Sequence, residues 1–102
     1  MFHPVTSVHG VPIRLTGERW LHITEEHSEM AGYAFEVLDI LEKPDVVFAG
    51  GGGELLAVRK VEAGKYLVVV YKEQTPDDGF VVTAFLTRRL RQLSRREKVW
   101  PL

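Results

Sequence analysis

Cysteine is absent from this 102-residue chain. That removes disulfide frameworks, thiolate nucleophiles and cysteine-based zinc sites together, so any chemistry must rest on histidine, carboxylate, lysine, arginine, tyrosine or hydroxyl groups. Also missing is any apolar run near the roughly 18 to 20 residues of a membrane-spanning helix. Met1-Phe2-His3-Pro4 lacks the basic and apolar regions of a secretory leader. The expectation from these absences is a soluble cytoplasmic protein without a membrane partner. The length leaves room for one domain, residues 1–102, and one core. A composition 45% hydrophobic and 26% charged is that of an ordinary folded globule.

The formal net charge is only -1, but it is unevenly spread. Residues 1–87 hold 7 Lys/Arg against 13 Asp/Glu, whereas residues 88–102 hold 6 against 1. Arg88, Arg89, Arg91, Arg95, Arg96 and Lys98 thus form either a local anion-binding strip or a solvated helix end whose cations balance an acidic body.

Periodicity supplies the elements. The first eight residues show no period, and residues 1–10 are expected to be loosely ordered, with His9-Gly10-Val11-Pro12 as a turn before the short apolar stretch Ile13 to Leu15. From Gly17 to about Met30 the pattern predicts a helix, with Thr16 as N-cap and Glu18 in the first turn. At about 100° per residue, Trp20, Ile23 and His27 share one of its faces, and His22, Glu25 and Glu26 the other. A second helix, Ala34 to Glu42, repeats Ala34, Val37, Leu38 and Leu41, and Lys43-Pro44 stops it.

After it, Asp45 to Ala49, Glu54 to Lys60, Lys65 to Glu73 and Gly79 to Thr87 read as strands with short connectors, and Lys98 to Trp100 as a last edge strand. The expected fold is therefore α+β: two N-terminal helices packed on one face of a four- to five-stranded antiparallel meander. Gly50 to Gly53 is followed by a strand and lacks the Lys-Ser/Thr of a phosphate loop, so it reads as a hairpin loop.

Chemistry has few candidates. His22 and His27 stand five residues apart, which turns them about 140° away from each other and argues against a zinc pair. His22 reads as a single proton-transfer imidazole on an open helix face, and His27 as a core histidine. Strict alternation would put Val81, Thr83, Phe85 and Thr87 on one strand face and Phe80, Val82, Ala84 and Leu86 on the face meeting the helices. By the same alternation Arg59 and Lys60 point to opposite faces.

The order of these segments adds a resemblance. Trp20-Leu21-His22-Ile23 with His27-Ser28-Glu29-Met30, Val37-Leu38 to Pro44-Asp45, Leu55 to Lys60, Lys65 to Val70, and Val82-Thr83-Ala84-Phe85-Leu86-Thr87-Arg88 resembles the barnase, EndoU, colicin E5/D and RelE-like nucleases of phages and toxin systems. It is most similar to the small phage-type branch, except that Ser28 stands where that branch has proline.

The resemblance implies a metal- and cofactor-independent endoribonuclease. In such enzymes the RNA 2′-hydroxyl attacks the adjacent phosphorus to give a 2′,3′-cyclic phosphate on an open sheet face. Carried over, His22 is the acid/base residue, Arg59 or Lys60 and Arg88 clamp the phosphate, and Thr83 or Thr87 donates to a phosphate oxygen. His27 is a second proton carrier, and Arg89, Arg91 and Arg95 contact RNA. The implied partners are RNA and an inhibitor or antitoxin protein. The alternatives are a non-catalytic RNA- or protein-binding module of the same fold, and a domain that docks on another protein through Glu25, Glu26 and Glu29.

Overall fold

The computed structural model describes residues 2–102. Its framework is a run of hairpins. β3 (Val46–Ala49), β4 (Leu55–Glu62), β5 (Lys65–Thr75) and β6 (Asp78–Thr87) pair antiparallel in sequence order. The glycine run closes the first hairpin. The Gly50 N–H donates to the Glu54 carbonyl at 2.8 Å, the Gly52 N–H to the Glu54 carboxylate at 3.2 Å, and Gly53 turns the chain at φ +90°, a conformation that disfavours any side chain.

The expected two-helix, four- to five-stranded antiparallel meander is not the observed fold. Among the described residues the sheet has seven strands in the order β1-β2-β6-β5-β4-β3-β7, curls into a half-barrel, and carries three short α-helices. The meander is its middle. β1 (Val5–Thr6) and β2 (Pro12–Arg14) extend one side, and β2 lies parallel to β6, with Ile13 beside Gly79 and Arg14 beside Phe80. β7 (Lys98–Trp100) extends the other side, antiparallel to β3. Strands of two or three residues are too short to show a period of two, and a parallel partner some sixty residues away leaves no local signature.

The segment expected to be loose is anchored through its strand. Ser7 is buried and its hydroxyl donates to the Glu73 carboxylate at 2.5 Å, which His9 Nδ1 also meets at 2.9 Å. Met1, the first residue of that expectation, lies outside the described residues.

The helices divide between different parts of the sheet. α1 (Gly17–Glu26) starts at Thr16, whose side chain accepts the Arg19 N–H at 3.0 Å, and it lies along β6. It ends earlier than its apolar spacing implies, because His27 leaves the helical region (φ -130°, ψ 77°) and Ser28–Met30 form a single 3₁₀ turn. α2 (Ala34–Glu42) buries Val37, Ile40 and Leu41 against β1, β4 and β5. With Ile13, Val47, Ala57, Leu67, Val69, Tyr71, Val81 and Ala84 from the sheet these make the main core.

The opposite sheet face is not the open surface expected of it. Phe48, Leu56, Val58 and Val68 form a second core there with Leu93 of α3 (Leu90–Leu93), and Tyr66, Val70, Phe85 and Leu90 border it. A bulge in β6 also breaks the expected alternation. Val70 pairs with Thr83 but Tyr71 pairs with Val81, so Val82 is the extra residue and Val81 joins the main core beside Ala84.

Candidate functional site

The α1 and α2 elements place two of the sequence-derived candidates away from any common cleft. His22 stands on the outer side of α1, 54% exposed, with Glu18 at 3.9 Å and Glu25 at 3.7 Å. Its ion-pair neighbours are two carboxylates on its own helix. Arg59 points to the α2 side of β4. Its Nη1 is 2.9 Å from Asp39 Oδ2 and donates to the Lys43 carbonyl at 3.2 Å. That arginine braces the end of α2 to the sheet. Together with Lys60 it borders a cleft of about 390 Å³, also lined by Tyr33, Glu36, Val61 and Glu62. With Arg59 already paired, the cleft is electrostatically mixed rather than anion-seeking.

A different set does assemble, along β6 on the second face. Across β4, β5 and β6 the register gives a row Lys60, Tyr66, Thr87, then Val58, Val68, Phe85, then Leu56, Val70, Thr83. Alternation points all nine to one side. α3 covers the β3 and β4 end of these rows, and Phe85 lies at the border of the apolar patch beneath it. From the other side comes His27: where α1 breaks, its ring stands 6.0 Å from the Phe85 ring at a 37° tilt. His27 is the residue at which α1 ends, with its backbone outside the helical region. Glu29 Oε2 stands 3.6 Å from His27 Nδ1, on an imidazole that is 36% exposed.

Thr83 and Thr87 are each two residues from Phe85, roughly 7 Å along the strand. The Thr87 oxygen accepts the Arg89 N–H at 3.0 Å and keeps its own O–H to donate. Lys60 is exposed and makes no ion pair among the described residues, and its row places its Cα roughly 10 Å from that of Thr87. Arg88 continues from Thr87, and its guanidinium lies beside the Gly64 turn.

Arg89, Arg91 and Arg95 follow on the exposed surface at and after the start of α3. None of the basic residues from Arg88 to Lys98 forms an ion pair with the acidic body among the described residues.

The structure thus sets His27 against Phe85, with Thr83 and Thr87 about 7 Å to either side along the strand and Lys60 and Arg88 towards its end, and leaves His22 and Arg59 outside. Phe85 and Tyr66, which floor the arrangement, were treated by sequence reasoning only as strand-formers. The period-2 rule did place Thr83, Phe85 and Thr87 on one face. No group of three or more His, Asp or Glu side chains converges on a common point among the described residues. Comparison with protein-family models, with curated proteins and with solved structures finds no match. No helix among the described residues is long and apolar enough to cross a membrane.

Proposed function

We propose that this chain is an endoribonuclease of phage or toxin type, acting without a metal on the second sheet face with His27, rather than His22, as its proton carrier. The observation that carries the reading is His27 against Phe85, on a strand face that also carries Thr83 and Thr87, with Lys60 and Arg88 nearby and without ion-pair partners among the described residues. RNA brings its own nucleophile, so such a site needs only a base and charge stabilisation.

His27 takes the proton of the 2′-hydroxyl, whose oxygen attacks the adjacent phosphorus. The bond to the 5′-oxygen breaks, water protonates that leaving oxygen, and a 2′,3′-cyclic phosphate remains. Thr83 or Thr87 donates to a non-bridging oxygen while Lys60 and Arg88 offset the developing negative charge. The protein would work where RNA is plentiful, in the cytoplasm, and an inhibitor protein would have to cover this face.

The test is incubation of the purified protein with RNA in EDTA, with product ends analysed for cyclic phosphate. Cleavage by wild type and by His22→Ala, and its loss in His27→Ala, is the expected pattern. Intact RNA with wild type overturns the reading. A second reading, a non-catalytic RNA-binding module, is favoured by the distance of His22 and Arg59 from the site, which leaves one imidazole where the resemblance implied two. Salt-sensitive RNA binding without cleavage is its signature.

A further inference from the structure

Towards the start of β6, away from His27, lies a second recess of about 150 Å³ lined by Arg14, Thr16, Arg19, Phe80 and Val81. None of these residues entered the site above. Arg14 is set there by the parallel pairing of β2 with β6: Ile13 goes into the core, so Arg14 faces the other way, beside Phe80. Its guanidinium is gripped by both oxygens of Asp78, Nε to Oδ1 at 2.8 Å and Nη2 to Oδ2 at 3.0 Å, and its Cζ stands 5.8 Å from the centre of the Phe80 ring. A guanidinium tethered at two points beside a ring is a flat, fixed platform rather than a mobile charge. Asp78 balances its charge. Arg19, on the first turn of α1, has no ion-pair partner among the described residues and supplies the net positive charge of the recess.

Phe80 lies on the same face of β6 as Thr83 and Phe85. It pairs with Lys72, Thr83 pairs with Val70, and Lys72 and Val70 are two residues apart on β5. One strand face therefore carries two aromatic rings, one beside Arg14 and the other beside His27. Five residues of strand with one bulge separate them by about 15 Å. Single-stranded RNA is held by this combination of parts: aromatic or guanidinium planes for the bases and cations for the backbone between them.

We propose that the Arg14–Phe80 recess is a flanking-nucleotide subsite for single-stranded RNA. A base stacks on the Arg14 platform and Arg19 contacts the adjoining phosphate, while the strand continues along β6 to His27. The proposal rests on reading the second face as an RNA surface, and it makes substrate length the signature, since a dinucleotide is too short to occupy both ends.

The experiment uses the full chain and fluorescently labelled oligouridylates of two and eight nucleotides, read by anisotropy in EDTA. To prevent turnover, the oligomers carry 2′-O-methyl groups. The octamer is expected to bind at least tenfold tighter than the dimer. Arg19→Ala and Arg14→Ala should each weaken the octamer about tenfold, the scale of one lost stacking or backbone contact, and leave the dimer unchanged. Arg19→Ala is the decisive variant, because the Arg19 side chain makes no hydrogen bond or ion pair among the described residues; its melting temperature should equal that of wild type. Octamer affinity unchanged in Arg19→Ala, or equal affinity for dimer and octamer, overturns the subsite. Cleavage of unmodified RNA by these variants and by His27→Ala is scored separately, so a binding subsite without catalysis is distinguishable from failure of both.

Discussion

Tyr71 offers the sharpest test of the packing. Its side chain is fully buried in the main core, and its hydroxyl has no hydrogen-bond partner among the described residues. Burial pushes that hydroxyl well above the usual tyrosine range, and the nearby Glu73 carboxylate pushes it further. An unpaired hydroxyl in a core costs about 1–3 kcal/mol of desolvation.

Tyr71→Phe removes that cost and vacates on the order of 10 Å³, worth only about 0.2 kcal/mol at roughly 24 cal/mol per Å³. The variant should therefore be about 1–3 kcal/mol more stable, raising Tm by about 4–8 °C per kcal/mol for a domain near this size. Urea unfolding followed by circular dichroism reads this as a higher midpoint at unchanged slope. The sign with pH follows from the same environment. Above about pH 10 the unfolded tyrosine loses its proton while the folded one keeps it, so alkali favours unfolding, and Tyr71→Phe should flatten that decline. A variant destabilised by about 1 kcal/mol would refute the reasoning, because the hydroxyl would then be making a hydrogen bond worth keeping.

Other outcomes follow from single contacts. At Gly79 a Cβ would fall 2.5 Å from both Ile13 Cδ1 and the Lys72 carbonyl oxygen, so Gly79→Ala should cost about 1–3 kcal/mol and lower the urea midpoint; an unchanged midpoint would mean the β2–β6 junction is slack. Asp78 is held below the usual carboxylate range by its hydrogen bonds to Arg14, so its contribution is present above about pH 4 and lost as pH falls through its folded value. Melting curves of Asp78→Asn should run below wild type at pH 6 and converge with it towards pH 2, and parallel curves would dismiss the pair. If Arg91 and Arg95 each touch an RNA phosphate, their double alanine variant should reduce the slope of log affinity against log salt by about 1.4, whereas an unaltered slope marks them as solvated only.

The parts legible in the sequence were those with a local cause. Val37, Leu38 and Leu41 predicted α2 because a helix writes its buried stripe every third or fourth residue. Thr16 marked the start of α1 because a cap needs a hydroxyl there. The strands of the meander declared themselves through Val- and Leu-rich runs between turn residues. What escaped was non-local. Pro12-Ile13-Arg14 becomes a strand only because β6 is beside it, and the bulge at Val82 reflects a register with β5 that no single strand encodes.

The candidate site followed the same division. Thr83 and Thr87 could be put on one strand face because alternation is local. His22 was preferred to His27 because a continuous helix was assumed, whereas α1 ends at His27 and that ring lies against Phe85. Arg59 and Lys60 could not be told apart in the sequence because Asp39, the partner that engages Arg59, belongs to another element.

The strand order also bears on how the molecule assembles in time. β3 to β6 zip through turns of a few residues, but β2 reaches β6 only after the chain from Ile13 to Gly79 is closed, and β7 reaches β3 only after closure from Val47 to Trp100. Loop-closure entropy makes such distant pairings late events, and strands of two or three residues hold them weakly. Amide exchange is accordingly expected to be fastest in β1, β2 and β7 and slowest in β5. Arg14 comes from the late side and Thr83, Phe85 and Thr87 from the early one. If the second face binds RNA as proposed, its full extent exists only in the completely folded chain, and a partly opened molecule would lose its grip on a long strand before losing its core.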